Sequence, residues 1–60
     1  MVKTNTTWGS SDGRKFLVNG IMQQGPDTWI HYINVKTNQQ YSCLVDAFVQ
    51  RFREEPNDGR

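Results

Sequence analysis

The segment WIHYINV, from Trp29 to Val35, constrains the fold of this chain more than any other stretch. It is rich in β-branched and aromatic residues and contains no glycine or proline, a composition typical of a β-strand. Successive side chains of a strand point to opposite faces, and both faces of this strand are largely apolar. We therefore predict a strand at the centre of a sheet, or one that is strongly bent.

Two neighbouring segments are predicted to pair with this strand. The polar loop KTNQ follows it, and QYSCL (Gln40–Leu44) is the return strand of a hairpin. Upstream, the residues from Arg14 to Gln24 have two interpretations. They form either one strand that bends or bulges at Gly20, or two short strands joined by a type I′ turn at Asn19-Gly20. We favour the single bent strand, since three-residue arms make a weak hairpin.

Turn signals separate these strands. Asp12-Gly13 is a strong hairpin dipeptide. In the sequence GPDT we expect Pro26 at the first central position of a turn that includes Asp27 and Thr28. Residues 1–7 are polar and rich in threonine, and we expect either a frayed end or a short edge strand that leads to Trp8.

The hydrophobic period changes after the return strand. Apolar residues now recur at helical spacing, on one face of a helix of about ten residues: Leu44, Val45, Phe48, Val49 and Phe52. Asp46 or Ser42 is the expected N-cap. Arg51 and Arg53 fall in the last turn, where cations suit the helix dipole, and a proline at position 56 is expected to stop the helix.

The length of the chain limits the fold to one domain. A chain of 60 residues buries only about 60% of the surface that its unfolded form exposes. Seven residues are aromatic, however, and each aromatic side chain buries on the order of 150–250 Å². We predict a single small domain over residues 1–55 and a flexible tail at residues 56–60. The expected fold is mainly β with one C-terminal helix. It is either a small SH3-like barrel or a bent three- to five-stranded antiparallel sheet with the helix packed on it.

The single histidine and the single cysteine invite comparison with a catalytic base and its nucleophile. Such a pair also needs an orienting group and an oxyanion site in a cleft, and a structural zinc site needs four ligands. We therefore expect no catalytic residue, no metal and no cofactor. Cys43 is predicted to be a small buried hydrophobe, and His31 a packed side chain.

The same cysteine count indicates a compartment. A small secreted domain usually carries several disulfides, so one cysteine favours a reducing environment. The sequence contains no apolar segment with the character of a signal peptide or a membrane span. We therefore expect a cytoplasmic protein with no membrane partner.

The distribution of charge and aromatic residues suggests a binding role. Residues 1–53 carry six Lys or Arg and three Asp, a net charge of +3, which falls short of the basic footprint of a dedicated nucleic-acid binder. We predict a non-enzymatic binding module that contacts a partner protein or a second copy of itself through exposed aromatic side chains. The alternative is a regulatory protein whose aromatic side chains stack on bases and whose cations meet phosphates. The candidate binding residues are Trp8, Arg14, Lys15, Tyr32, Lys36 and Tyr41.

The pattern WIHY…QQYSCLVDAFVQRFREE resembles short proteins encoded by enterobacterial phages and prophages, many of them domains of unknown function. In these proteins an aromatic-rich hairpin of SH3-like character leads into a closing F-x-x-R-F helix, here the residues from Phe48 to Phe52. The likeness spans roughly Phe16 to Glu55. It implies a phage accessory protein in a bacterial host cell, which acts on host or phage proteins or on nucleic acid. It transfers no catalytic residue to this chain.

Overall fold

The computed structural model describes residues 2–55, and the predicted tail at residues 56–60 lies outside the described residues. Five strands and one helix follow each other along the chain. They are β1 (Thr7–Ser10), β2 (Lys15–Gln24), β3 (Asp27–Asn34), β4 (Gln40–Leu44), α1 (Val45–Arg51) and β5 (Phe52–Glu54).

The strands form one antiparallel sheet in the order β4-β3-β2-β1-β5. Within residues 2–55 no ladder joins β4 to β5, so the sheet is not closed. A mainly β fold with one helix near the C-terminus was expected, and it is confirmed. Of the two expected architectures, the structure shows the bent antiparallel sheet with the helix packed on it.

The sheet curls because α1 connects its two edges. Edge strands of a flat five-stranded sheet lie about 19 Å apart, whereas seven helical residues span only about 10 Å. The side chain of Phe48 on α1 reaches across the resulting hollow. Its ring centroid lies 5.0 Å from that of Trp8 on β1 and 5.0 Å from that of Tyr32 on β3.

The concave side of the sheet holds an aromatic core. Phe48 is fully buried, and rings from all five strands surround it or pack on its neighbours. The buried apolar residues are Val2, Trp8, Phe16, Val18, Ile30, Tyr32, Phe48 and Phe52. Large rings let so short a chain build a continuous core, because each one covers the area of several aliphatic side chains.

β2 is a single strand that passes through Asn19 and Gly20. Its register against β3 shifts between Val18 and Gly20, which leaves Asn19 as a bulge. The prediction of one bent strand is confirmed, and the alternative type I′ turn is wrong. After the bulge, Gly20 lies opposite His31, and a Cβ at Gly20 would be 3.5 Å from the Cβ of His31.

The turn between β2 and β3 is tighter than predicted. Gln24 pairs with Asp27, so only Gly25 and Pro26 form the loop. Gly25 has a φ of 61°, and glycine with positive φ at the first central position is typical of a type II′ hairpin turn. Pro26 therefore occupies the second central position, and Asp27 and Thr28 belong to β3.

The helix is also shorter than predicted. It ends at Arg51, and Phe52 begins β5, where it pairs with Ser10 of β1. The predicted N-caps are wrong, because Leu44 occupies the cap position without a side-chain hydrogen bond. Arg51 lies in the last helical turn as expected. No described helix has both the length and the apolar character needed to cross a membrane.

Candidate binding surfaces

The structure separates the three predicted binding aromatics. Trp8 and Tyr32 are only 6% and 5% exposed, so both lie in the core and neither can form a surface patch. Trp8 faces the core because it pairs with Phe16, and its indole Nε1–H donates to Thr6 Oγ1 over 3.0 Å. Tyr41 is half-buried and packs against the core from β4.

The predicted cations Arg14, Lys15 and Lys36 are exposed. Arg14 Nε donates to Asp12 Oδ2 over 2.8 Å, and Arg14 Nη2 lies 2.6 Å from the same oxygen. These hydrogen bonds, together with one from Ser10 Oγ, hold the pKa of Asp12 well below its usual range, and Asp12 in turn raises the pKa of Arg14. The Arg14 side chain is thereby anchored to the turn between β1 and β2.

Lys15 is paired with the carboxylate of Glu55, the residue that follows β5. Its Nζ lies 2.5 Å from Glu55 Oε1, and this ion pair passes over Gly9 of β1, the strand between them. A Cβ at residue 9 would lie 2.5 Å from Glu55 Oε2. The absence of a side chain at Gly9 therefore leaves the space that the ion pair occupies.

A cleft of about 1100 Å³ opens between α1, β5 and the turn that joins β1 to β2. We call it the seam cleft, because it lies between the edge strands β4 and β5. Its floor is formed by Phe16, Tyr32 and Phe52, and Tyr41 and Arg14 line its sides. The lining also includes Val49, Gln50 and Arg51 of the helix, the residues from Arg53 to Glu55, and the residues from Gly9 to Asp12.

Tyr41 forms an aromatic stack at this cleft. Its ring lies nearly parallel to that of Tyr32, with centroids 5.5 Å apart and an angle of 21°, and Phe16 meets both rings edge-on. Burial, together with the neighbouring Cys43 thiol, raises the pKa of Tyr32 to about 12. Its core position fixes the Tyr32 ring on which Tyr41 rests.

Two arginines beside the cleft lack an ion-pair partner among the described residues. The ion pairs within residues 2–55 are Arg14–Asp12 and Lys15–Glu55. Arg51 and Arg53, both exposed, thus have no described carboxylate within 4 Å. Their side chains are available to an anionic ligand.

A second, smaller cleft of about 640 Å³ adjoins the first, and we call it the loop cleft. Asp12 and Arg14 line both clefts. The loop cleft also includes Lys15 and Lys36, the other two predicted cations. Asn34 shapes its wall, because the buried Oδ1 accepts hydrogen bonds from the backbone N–H groups of Lys36 and Thr37, 2.8 and 3.1 Å long.

The convex side of the sheet carries an apolar surface that the predicted site residues do not include. We call it the outer face. Its most apolar row is Met22, Trp29 and Leu44, which lie side by side on β2, β3 and β4 at one end of the face. Met22 is 51% exposed and Leu44 is 39% exposed. The other members are Leu17, Gly20, His31, Ile33, Gln40 and Ser42.

The sequence contains a signal for this surface. The alternation within WIHYINV makes both sides of β3 apolar, and only one side can face the helix. The local pattern does not show which of the two sides faces the helix, however. The predicted surface patch therefore includes Trp8 and Tyr32, which are buried, and omits Trp29, which lies on the outer face.

His31 and Cys43 do not form a pair. His31 lies opposite Ser42 on the outer face, whereas Cys43 lies opposite Ile30 and points to the core side. Cys43 is half-buried rather than fully buried. His31 Nε2 is a buried atom without a hydrogen-bond partner. Among residues 2–55, no group of three His, Cys, Asp or Glu side chains is placed to hold a metal ion.

Comparison of this chain with protein-family models, with curated proteins and with solved structures finds no match. The candidate surfaces therefore have to be interpreted from their own geometry and chemistry.

Proposed function

We propose that this chain is a non-enzymatic binding module that contacts a partner protein through its outer face. The observation that carries the proposal is the row of Met22, Trp29 and Leu44, three large apolar side chains on adjacent strands. Contiguous apolar surface on a small protein is typical of an interaction site. Tryptophan and methionine are enriched at the centres of protein interfaces.

The charge of the outer face favours a protein partner over a polyanion. None of its nine positions is Asp, Glu, Lys or Arg, and His31 is its one titratable side chain. Nucleic acid would need cations on this surface to replace the counterions of its phosphates. An apolar protein surface needs no such compensation, and it gains free energy in proportion to the area that is removed from water.

The shape of the outer face distinguishes a groove-bearing partner from a second copy. The nine positions fill three strands about 5 Å apart and three rows about 7 Å apart, an area on the order of 300 Å². A standard interface buries about 800 Å² on each partner. Two copies that meet through their convex outer faces cannot bury the remaining area, because two convex surfaces touch only at their centres. A partner with a concave apolar groove reaches the flanks of the sheet as well.

The test is a pull-down from lysate of the bacterial host that the phage resemblance implies, followed by an affinity measurement with the purified partner. Met22→Glu places a charge in the apolar row of the outer face. Ile21→Glu is the matched control, because Ile21 is the next residue of β2, is 40% exposed, and points to the opposite side of the sheet. Thermal melts of both variants check that the sheet remains folded.

We expect Met22→Glu to weaken binding of the partner at least about 30-fold, since burying an unpaired charge costs several kcal/mol. Ile21→Glu should change the affinity less than about threefold. Equal binding by the two variants contradicts the proposal. Concentration-dependent dimerisation that Met22→Glu abolishes would instead assign the outer face to a second copy.

A further inference from the structure

We propose that the seam cleft and the loop cleft together bind single-stranded nucleic acid, with one base stacked on Tyr41 and phosphates at Arg51, Arg14 and Lys36. This site is separate from the outer face, since none of the nine positions of the outer face lines either cleft. Its existence does not depend on the proposed protein contact.

The two clefts are neighbours, and we call them together the track. Asp12 and Arg14 line both of them. Arg51 and Arg53 lie at the end of the track beside the helix, and Lys15 and Lys36 lie at the end beside the loop between β3 and β4. Proteins that bind single-stranded nucleic acid present such a groove, in which spaced cations follow the phosphate backbone of the ligand.

The net charge of the track is positive once its internal ion pairs are taken into account. Asp12 and Glu55 are already neutralised by Arg14 and Lys15. Glu54 is then the one carboxylate in the described lining without a partner, against three exposed cations: Arg51, Arg53 and Lys36. Arg14 adds no net charge beyond its pair with Asp12. Its guanidinium has five N–H donors, however, and the contacts to Asp12 use only the Nε and Nη2 atoms, so other N–H groups are free to donate to a phosphate.

The stack of Tyr41 on Tyr32 supplies the second element of such a site. The core fixes the Tyr32 ring, and Phe16 holds both rings edge-on. Tyr41 is therefore oriented before any ligand arrives, while part of its side chain stays exposed. A base that stacks there meets a rigid aromatic surface, so little conformational entropy is lost on binding.

The combination of a flat ring with spaced cations favours single-stranded nucleic acid over an acidic peptide. A peptide of Asp and Glu residues would engage the arginines but would leave the aromatic stack without a partner. Every base, in contrast, has a π-face, and stacking on an aromatic side chain is tolerant of sequence. With so few cations, we expect a dissociation constant of about 10⁻⁶–10⁻⁴ M at low salt.

The experiment is a fluorescence-anisotropy titration of the full chain with a labelled oligothymidylate of about twelve nucleotides at about 20 mM salt. Tyr41→Leu is expected to weaken binding about 5- to 100-fold, the range measured for loss of one stacked base. Tyr41→Phe keeps the ring and should stay within about twofold of the unchanged chain. Circular dichroism establishes whether each variant is folded.

Salt dependence tests the cations independently of Tyr41. Three phosphate contacts predict a slope of log K against log[salt] of about −2, and Arg51→Gln should reduce its magnitude by about 0.7. Lys3→Gln removes the same charge from an exposed residue that lines neither cleft, and it should leave the slope unchanged. If Tyr41→Leu fails to fold, the salt slopes of Arg51→Gln and Lys3→Gln test the proposal without it.

Three results would overturn the proposal. The first is the absence of any binding to the oligothymidylate at low salt. The second is an equal slope for Arg51→Gln and Lys3→Gln. The third is displacement by polyglutamate as effective as displacement by unlabelled oligothymidylate of the same charge, which would assign the track to acidic peptides.

Discussion

Phe48 is the side chain on which the largest single loss of stability is expected. It has no exposed surface, and its ring contacts those of Trp8, Tyr32 and Phe52 at centroid distances of 5.0, 5.0 and 4.8 Å. These three partners lie on β1, β3 and β5. Phe48→Ala therefore removes the one ring that joins the helix to both halves of the curled sheet.

The expected cost follows from burial and from the cavity that remains. Replacing a buried Phe by Ala costs about 3–5 kcal/mol, and aromatic pairing adds about 0.5–1.5 kcal/mol for each lost pair beyond the area that it buries. A domain of this length has a free energy of unfolding of roughly 3–9 kcal/mol. We therefore expect Phe48→Ala to remove about half of the stability or more.

The assay is urea unfolding followed by far-UV circular dichroism. Val49→Ala is the matched control, because Val49 is the next helical residue and is 47% exposed. We expect its free energy of unfolding to change by less than about 0.5 kcal/mol. A cost of less than about 1.5 kcal/mol for Phe48→Ala, or an equal cost for the two variants, would refute the assignment of Phe48 as the centre of the core.

Two further predictions concern the turn and the buried phenol. Gly25→Ala should lower the free energy of unfolding by about 1–2 kcal/mol, because residue 25 has a φ of 61°. Gly20→Ala should change it by less than about 1 kcal/mol, because φ is not positive at residue 20 and a Cβ there would make only ordinary contact with His31. Urea melts of both variants measure this difference. Equal costs would indicate a positive φ at Gly20 as well, as in a type I′ turn at Asn19-Gly20, and would contradict the bulge. The pKa of Tyr32 is raised from about 10 to about 12 by burial, so the stability that it contributes is fully present below pH 10 and is lost as the pH rises towards 12. Relative to Tyr32→Phe, the unchanged chain should lose about 2 kcal/mol across that interval, and parallel pH profiles of the two proteins would show that the phenol is not buried in solution.

Local pattern was sufficient for the parts of the fold that depend on nearest neighbours. β4 begins and ends at the predicted residues, Gln40 and Leu44, since turn residues and a change of period bound it on either side. β2 runs through Gly20 as a single bent strand for a similar reason. In each case, backbone preferences over a few residues separate the alternatives.

The candidate site was only partly predictable. Arg14 and Tyr41 do line the seam cleft, but the anchoring of Arg14 by Asp12 depends on a turn whose geometry the composition does not specify. The ion pair between Lys15 and Glu55 joins residues that are distant in the chain. Its formation over Gly9 is a consequence of strand order, which no local signal encodes.

The sequence by itself determined that this chain forms a mainly β domain with an aromatic core and one late helix, because alternation, helical spacing and turn residues are local properties. Only the tertiary structure decided where that helix ends and which tryptophan is buried. Phe52 satisfies helical spacing as well as it satisfies a strand, and its pairing with Ser10 of β1 selects the strand. Trp8 and Trp29 are equally apolar, but the curl of the sheet around α1 encloses Trp8 and leaves the row that contains Trp29 on the outer face.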